Sequence, residues 1–204
     1  MQNPFSTTFS KYPENTYIST SEPAEMIENF SYDSPSEAVY KITGLRGSGK
    51  TVIMANVHDE LSSDLNKKRG WLVYTLNPAR DMLRQLAGYL YAEKFIKDNA
   101  GLTGLNISAS VLGTGAGIGL SRESAANYFD IGVEIRKMLD IIKRKNKKIL
   151  ICIDEVAKTP DMVVFALEFG GWLISGYPTY LVCTGLYKRL RCSSYSRLGD
   201  LCAC

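Results

Sequence analysis

Gly44-Leu45-Arg46-Gly47-Ser48-Gly49-Lys50-Thr51 fits the pattern G-x-x-x-x-G-K-[ST], and the meaning of the chain turns on it. Each residue type has a chemical reason to stand where it does. Gly47 and Gly49 let the backbone curl so that successive N–H groups, Ser48 among them, point at phosphate oxygens. Lys50 reaches the outer phosphates, and the Thr51 hydroxyl is a ligand for Mg²⁺. Four fixed positions are few, so the flanks decide. Ala38-Val39-Tyr40-Lys41-Ile42-Thr43 alternates and is β-prone, and from Val52 the chain can continue as a helix, whose positive end faces the loop. A strand, a glycine loop and a helix in that order make a phosphate cradle of Gly44, Arg46, Gly47, Ser48, Gly49, Lys50, Thr51 and Val52, with Arg46 a further cation beside it.

A second segment complements the first. Ile149-Leu150-Ile151-Cys152-Ile153 is an unbroken apolar run ending in Asp154-Glu155. Unbroken runs mark parallel strands covered on both faces, and such a strand delivers its last residues to the carboxyl edge of the sheet, where open α/β sheets bind ligands. There Asp154 is suited to hold Mg²⁺ and Glu155 to polarise an attacking water. Trp71-Leu72-Val73-Tyr74-Thr75 and Tyr180-Leu181-Val182-Cys183 read as two further strands, the latter ending in Thr184-Gly185. No N-K-x-D motif of the kind that specifies guanine is present, so ATP is preferred over GTP.

Taken together, the loop, ILICIDE, YLVCTGL and an N-terminal Asn3-Pro4-Phe5 with Phe9 resemble bacterial AAA+-type P-loop ATP-binding proteins related to archaeal and STAND ATPases, over about residues 3–190. The resemblance implies an α/β fold: a P-loop NTPase three-layer sandwich with a mainly parallel sheet in the order 5-1-4-3-2, followed by a helical lid and often a winged helix. It implies ATP and Mg²⁺ as ligands, and makes Thr184 a candidate sensor of the γ-phosphate or the attacking water. The catalytic set is then Glu155, Lys50 and Thr184, and the metal set Thr51 and Asp154. Tyr12, Pro13, Tyr17 and Ile18 would lie near the adenine.

The chain departs from that family at its end. Only twenty residues follow Thr184, and the stretch from Leu190 to Cys204 has neither period two nor a helical period, so it reads as a C-terminally truncated end lacking the fifth strand and the lid. The first strand then becomes an edge that a second copy or a partner protein would cover. The expected organisation is a segment 1–35 packing on the core, an ATPase core over 36–190 and an irregular tail over 191–204.

Within the core, Asn77-Pro78 opens a helix whose stripe is Met82, Leu83, Leu86, Leu90 and Tyr91. Residues 105–120 alternate around glycines and suit an inserted β-hairpin. From about Ser124 to Lys143 another apolar stripe forms a helix, ending in the basic run Lys143-Arg144-Lys145-Asn146-Lys147-Lys148, which reads as a solvated cap on the helix dipole in preference to a DNA patch. His58 has no acid or thiol arrangement around it that would suggest nucleophilic catalysis and reads as structural. Cys152 and Cys183 fall inside buried strands, while Cys192, Cys202 and Cys204 match no zinc spacing.

A length of 204 residues with 45% hydrophobic content suits one domain, and a formal charge of +3 gives no global pull toward nucleic acid, which is not expected to bind through this chain alone. No basic segment followed by an apolar run opens the chain and no stretch is long enough to span a membrane, so a cytoplasmic location is expected. Two functions fit these residues: slow Mg²⁺-dependent ATP hydrolysis used as a regulatory or defence-type switch, or a non-hydrolysing nucleotide-binding fragment. A DNA-associated, initiator-like ATPase is a weaker third.

Overall fold

Four parallel strands in the order β1-β4-β3-β2 form the sheet of the computed structural model, which describes residues 21–32, 35–103 and 131–186, with residues 100–103 as backbone only. The strands are β1 (Val39–Gly44), β2 (Trp71–Leu76), β3 (Lys148–Ile153) and β4 (Thr179–Leu186). Each unbroken apolar run became a strand buried on both sides: in β3, Ile149, Ile151 and Ile153 face one layer while Leu150 and Cys152 face the other. Around the sheet lie α1 (Ser21–Ser31), α2 (Lys50–Leu61), α3 (Asp64–Lys68), α4 (Met82–Ala92), α5 (Lys94–Thr103), α6 (Ile131–Arg144) and α7 (Pro160–Ile174). Strand neighbours run 1-4-3-2, and β1 is an edge among the described residues.

One layer packs α4, α5, α6 and α7 against Ile149, Ile151, Ile153, Leu181 and Cys183, with Trp172, Phe165 and Phe169 of α7 fully buried. The opposite layer is smaller. There α1 and α2 cover Trp71, Leu150, Cys152, Tyr180 and Val182. Phe30, at the end of α1, is its anchor: its ring lies 5.4 Å from Tyr40, 6.1 Å from Trp71 and 5.2 Å from Tyr180, centroid to centroid. Phe30→Ala is therefore expected to lower unfolding stability by about 3–5 kcal/mol, the usual loss for a fully buried aromatic. Urea unfolding monitored by tryptophan fluorescence checks it, and a loss below about 1 kcal/mol would mean that α1 does not need this cluster.

Several expectations change. Asn77-Pro78 does not open α4. Asn77 makes a turn instead, its Oδ1 accepting from Ala79 N at 2.9 Å and its carbonyl from Arg80 N at 3.1 Å, and the helix begins only after Asp81, whose carboxylate accepts from Arg84 N at 3.0 Å. An aspartate that satisfies an orphan amide outcompetes a proline that merely tolerates the position. Lys143 to Asn146 of the basic run are exposed, as expected, but Lys147 and Lys148 are half-buried, and three ammonium groups of the run lie over aromatic rings: Lys143 over Tyr177 at 5.6 Å, Lys147 over Phe95 at 5.1 Å and Lys148 over Trp71 at 5.6 Å. Lys148 additionally donates to Tyr32 O at 2.9 Å, just past α1. The inserted hairpin near 105–120, the start of the helix before Ile131, residues 1–20, including Tyr12, Pro13, Tyr17 and Ile18, and the tail from 187 lie outside the described residues.

Cys152 and Cys183 are buried free thiols, each pushed up to about 12 chiefly by burial. Both stay protonated and unreactive near neutral pH.

The edge position of β1 has a measurable consequence. Its residues are half-exposed or exposed throughout, whereas β3 is held between β4 and β2. Amide hydrogens over Val39–Gly44 should exchange faster than those over Ile149–Ile153 in native-state exchange read by mass spectrometry. Equal protection would mean that some other segment pairs with β1.

Candidate functional site

Everything sequence reasoning assigned to phosphate and metal lies at the carboxyl edge of β1, β3 and β4. β1 ends at Gly44, the loop crosses Leu45–Gly49, and α2 starts at Lys50. The loop owes its shape to glycine at two places. Gly47 (φ 82°) and Gly49 (φ 79°) are left-handed, a conformation that costs other residues. A Cβ on Gly44 would stand 2.6 Å from Ser48 Oγ, so the Ser48 hydroxyl would have to rotate away. The turn closes by Ser48 N donating to Leu45 O at 3.3 Å, and Ile53 N donates to Gly49 O at 3.0 Å to start the helix. Lys50 Nζ folds back over the loop and donates to Leu45 O at 2.6 Å. Arg46 is exposed at the loop's crest, and Val52 is half-buried on the first turn of α2.

The centre of the site is the Asp154 carboxylate, one residue past β3. Thr51 Oγ1, 103 positions earlier in the chain, lies 3.1 Å from Oδ1 and 3.0 Å from Oδ2 and donates to it. Thr184 Oγ1, at the end of β4 and buried, also donates to Oδ1. The Glu155 amide donates to the same Oδ1 at 3.1 Å and to Thr184 Oγ1 at 3.0 Å. Two strands, β3 and β4, and the helix α2 thus converge on one carboxylate. Parallel pairing produces this convergence: the registers Ile153↔Cys183 and Ile42↔Thr184 bring the three strand ends level.

Glu155 has an unusual backbone that the sequence did not signal. Its φ is 53°, left-handed for a non-glycine residue. Residue 184 clasps it from both sides, its hydroxyl accepting from Glu155 N and its carbonyl from Val156 N at 2.8 Å. The chain therefore turns sharply after β3, and Glu155 is exposed while Val156 returns to the core. Held strain of this kind clusters at functional positions. The carbonyl contact of Thr184 is invisible to pattern reading, because it depends on which strand becomes the neighbour of β3.

The oxygens present suit a divalent cation of the hard type: a threonine hydroxyl and a carboxylate, from separate elements, beside a loop with two left-handed glycines. Among the described residues there is no cluster of three or more histidine, cysteine or acidic side chains, so the carboxylate and hydroxyl would share such an ion with water or a phosphate.

No family model matches the chain, and no curated protein matches it by sequence. Among solved structures it is similar to the Aeropyrum pernix Orc1 protein, determined in complex with DNA, with 16% identity and a TM-score of 0.47. The alignment covers 81% of this chain, which spans only 38% of that one. A likeness of this degree bears on neither the activity nor the partners of the present chain.

His58 Nδ1 lies 2.9 Å from Asp59 Oδ1 late on α2. The two are sequence neighbours on a solvent-facing turn, with no nucleophile hydrogen-bonded to either, so the pair adds no chemistry to the site.

Proposed function

We propose that this chain binds ATP with Mg²⁺ at the carboxyl edge of the sheet and hydrolyses it slowly as the basis of a regulatory or defence-type switch. The observation that carries the reading is the meeting of Thr51 and Asp154 at 3.0 Å and 3.1 Å beside a loop with two left-handed glycines. In this reading the loop amides and Lys50 bind the phosphates, the Thr51 hydroxyl and the Asp154 carboxylate hold the metal, and Glu155 accepts a proton from the attacking water. The bound Mg²⁺ would supply neutralisation of charge on the phosphate oxygens. Thr184 keeps Asp154 and Glu155 in register through the contacts described above. Lys50 would exchange its bond to the Leu45 carbonyl for phosphate oxygens, a stronger, charge-assisted partner.

The reading has a direct test in titration calorimetry with ATP, with and without Mg²⁺. Wild type is expected to bind ATP more tightly with the metal, and Asp154→Asn to lose about tenfold or more of the Mg²⁺-dependent affinity while keeping the metal-free part. Absence of binding by the wild type at millimolar ATP–Mg²⁺ would overturn the assignment.

A further inference from the structure

The end of the sheet remote from the ATP cradle gathers two basic segments that lie far apart in the chain. Lys67 and Lys68 close α3, and Arg69 follows them into Gly70 and β2. Lys143 and Arg144 close α6, and Lys145 follows toward β3. The two junctions abut, because β2 and β3 are parallel neighbours: Lys148 N donates to Gly70 O at 3.0 Å, and a Cβ on Gly70 would stand 3.1 Å from Asn146 O. All six of these cationic side chains are exposed.

We infer that this face docks the phosphate backbone of nucleic acid. Six exposed cations meet there, a local positive charge larger than the net formal charge of +3 of the whole chain. Capping of helix dipoles accounts for the cations inside the last turns of α3 and α6, but Arg69 and Lys145 lie beyond the helices and extend the positive face. Carboxylates offset it only in part. Among the described residues only Lys67 has one within reach, Asp64 at 4.0 Å. The nearby Asp140 accepts from Tyr177 Oη at 2.8 Å, and Glu28 from Tyr32 Oη at 3.0 Å. The remaining cations repel one another unless an anion with repeated charges lies across both junctions.

A lipid surface fits less well. Trp71 is buried and Phe95 and Tyr177 are partly so, lying beneath Lys148, Lys147 and Lys143, while the exposed Leu65 and Ile174 are single side chains on different helices. Membrane docking calls for apolar insertion beside the charge. The described face also presents no helix with side chains arrayed to enter a groove, so binding would follow the phosphate backbone without regard to sequence.

The test is fluorescence anisotropy of a mixed-sequence DNA duplex of about 20 base pairs, titrated at salt concentrations from about 50 to 200 mM. Wild type is expected to bind with a log–log salt slope of about −4 to −5, and the triple variants Lys67→Gln/Lys68→Gln/Arg69→Gln and Lys143→Gln/Arg144→Gln/Lys145→Gln each to reduce the slope by about 2 to 3. Affinity at low salt should fall at least tenfold in each, with unchanged melting temperature and unchanged response to ATP. The last two controls separate this inference from the proposed nucleotide site at the other end of the sheet. Sequestration by phosphatidylserine vesicles without duplex binding would overturn the inference in favour of a membrane, and so would duplex binding that neither variant weakens.

Discussion

Glu155→Gln is expected to lower ATP turnover by about 10²-fold or more while leaving ATP–Mg²⁺ affinity within about twofold. The expectation rests on where the side chain stands. Glu155 contributes its amide, not its carboxylate, to the hydrogen bonds that organise Asp154, so the amide variant preserves Glu155 N donating to Asp154 Oδ1 and Thr184 Oγ1. Only the exposed carboxylate is lost, the group to which the proposed reading gives the proton from water. The measurement is phosphate release under saturating ATP, with affinity followed in parallel by calorimetry. Wild-type turnover no higher than that of the variant would establish the chain as a nucleotide binder without hydrolysis, leaving the cradle assignment intact.

Lys50→Ala should have the other large effect. Millimolar ATP–Mg²⁺ is expected to raise the melting temperature of the wild type by several degrees, since a ligand at about 100 times its Kd adds about 2.7 kcal/mol to stability. In Lys50→Ala the rise should disappear. Lys50 gives up a bond to a loop carbonyl when phosphate arrives, so its removal costs the free protein little and the bound protein much. The unliganded melting temperature is accordingly expected to change by no more than a few degrees, which separates lost binding from lost folding. Persistence of the full ATP response would sink the assignment of the loop.

The strands and the loop were legible because their signals are local. Unbroken apolar runs at 149–153 and 180–183 have few alternatives to a strand buried on both faces, and β1 through α2 follows from glycine spacing. Helices were read less evenly. α6 shows a strong stripe, but α7 (PDMVVFALEFGGWLI) is apolar almost all round, so no periodicity stands out despite the Thr159-Pro160 start that caps it. α1 escaped notice because Met26, Ile27 and Phe30 are too few to draw a stripe. Within the site, the residue types could be read but not their contacts. That Thr51, Thr184 and the Glu155 amide share one carboxylate depends on β4 lying between β1 and β3, which is decided by packing across the whole sheet. Neither basic segment revealed that the other would lie beside it, for the same reason.

The strand order also sets the timing of assembly during synthesis. Among the described residues β1 is the first strand made and β4 the last, yet β4 is the strand that joins β1 to the rest of the sheet. About 135 residues separate Gly44 from Thr179, which at the usual rates of translation is a delay of roughly 7–27 s. The pair β2 and β3 can form only near the end of that interval, once Ile153 has been made, and until β4 follows the glycine loop and its strand have no described partner in the sheet. The contacts that gather Thr51, Asp154 and Thr184 therefore form together in a single late step, when β4 enters between β1 and β3.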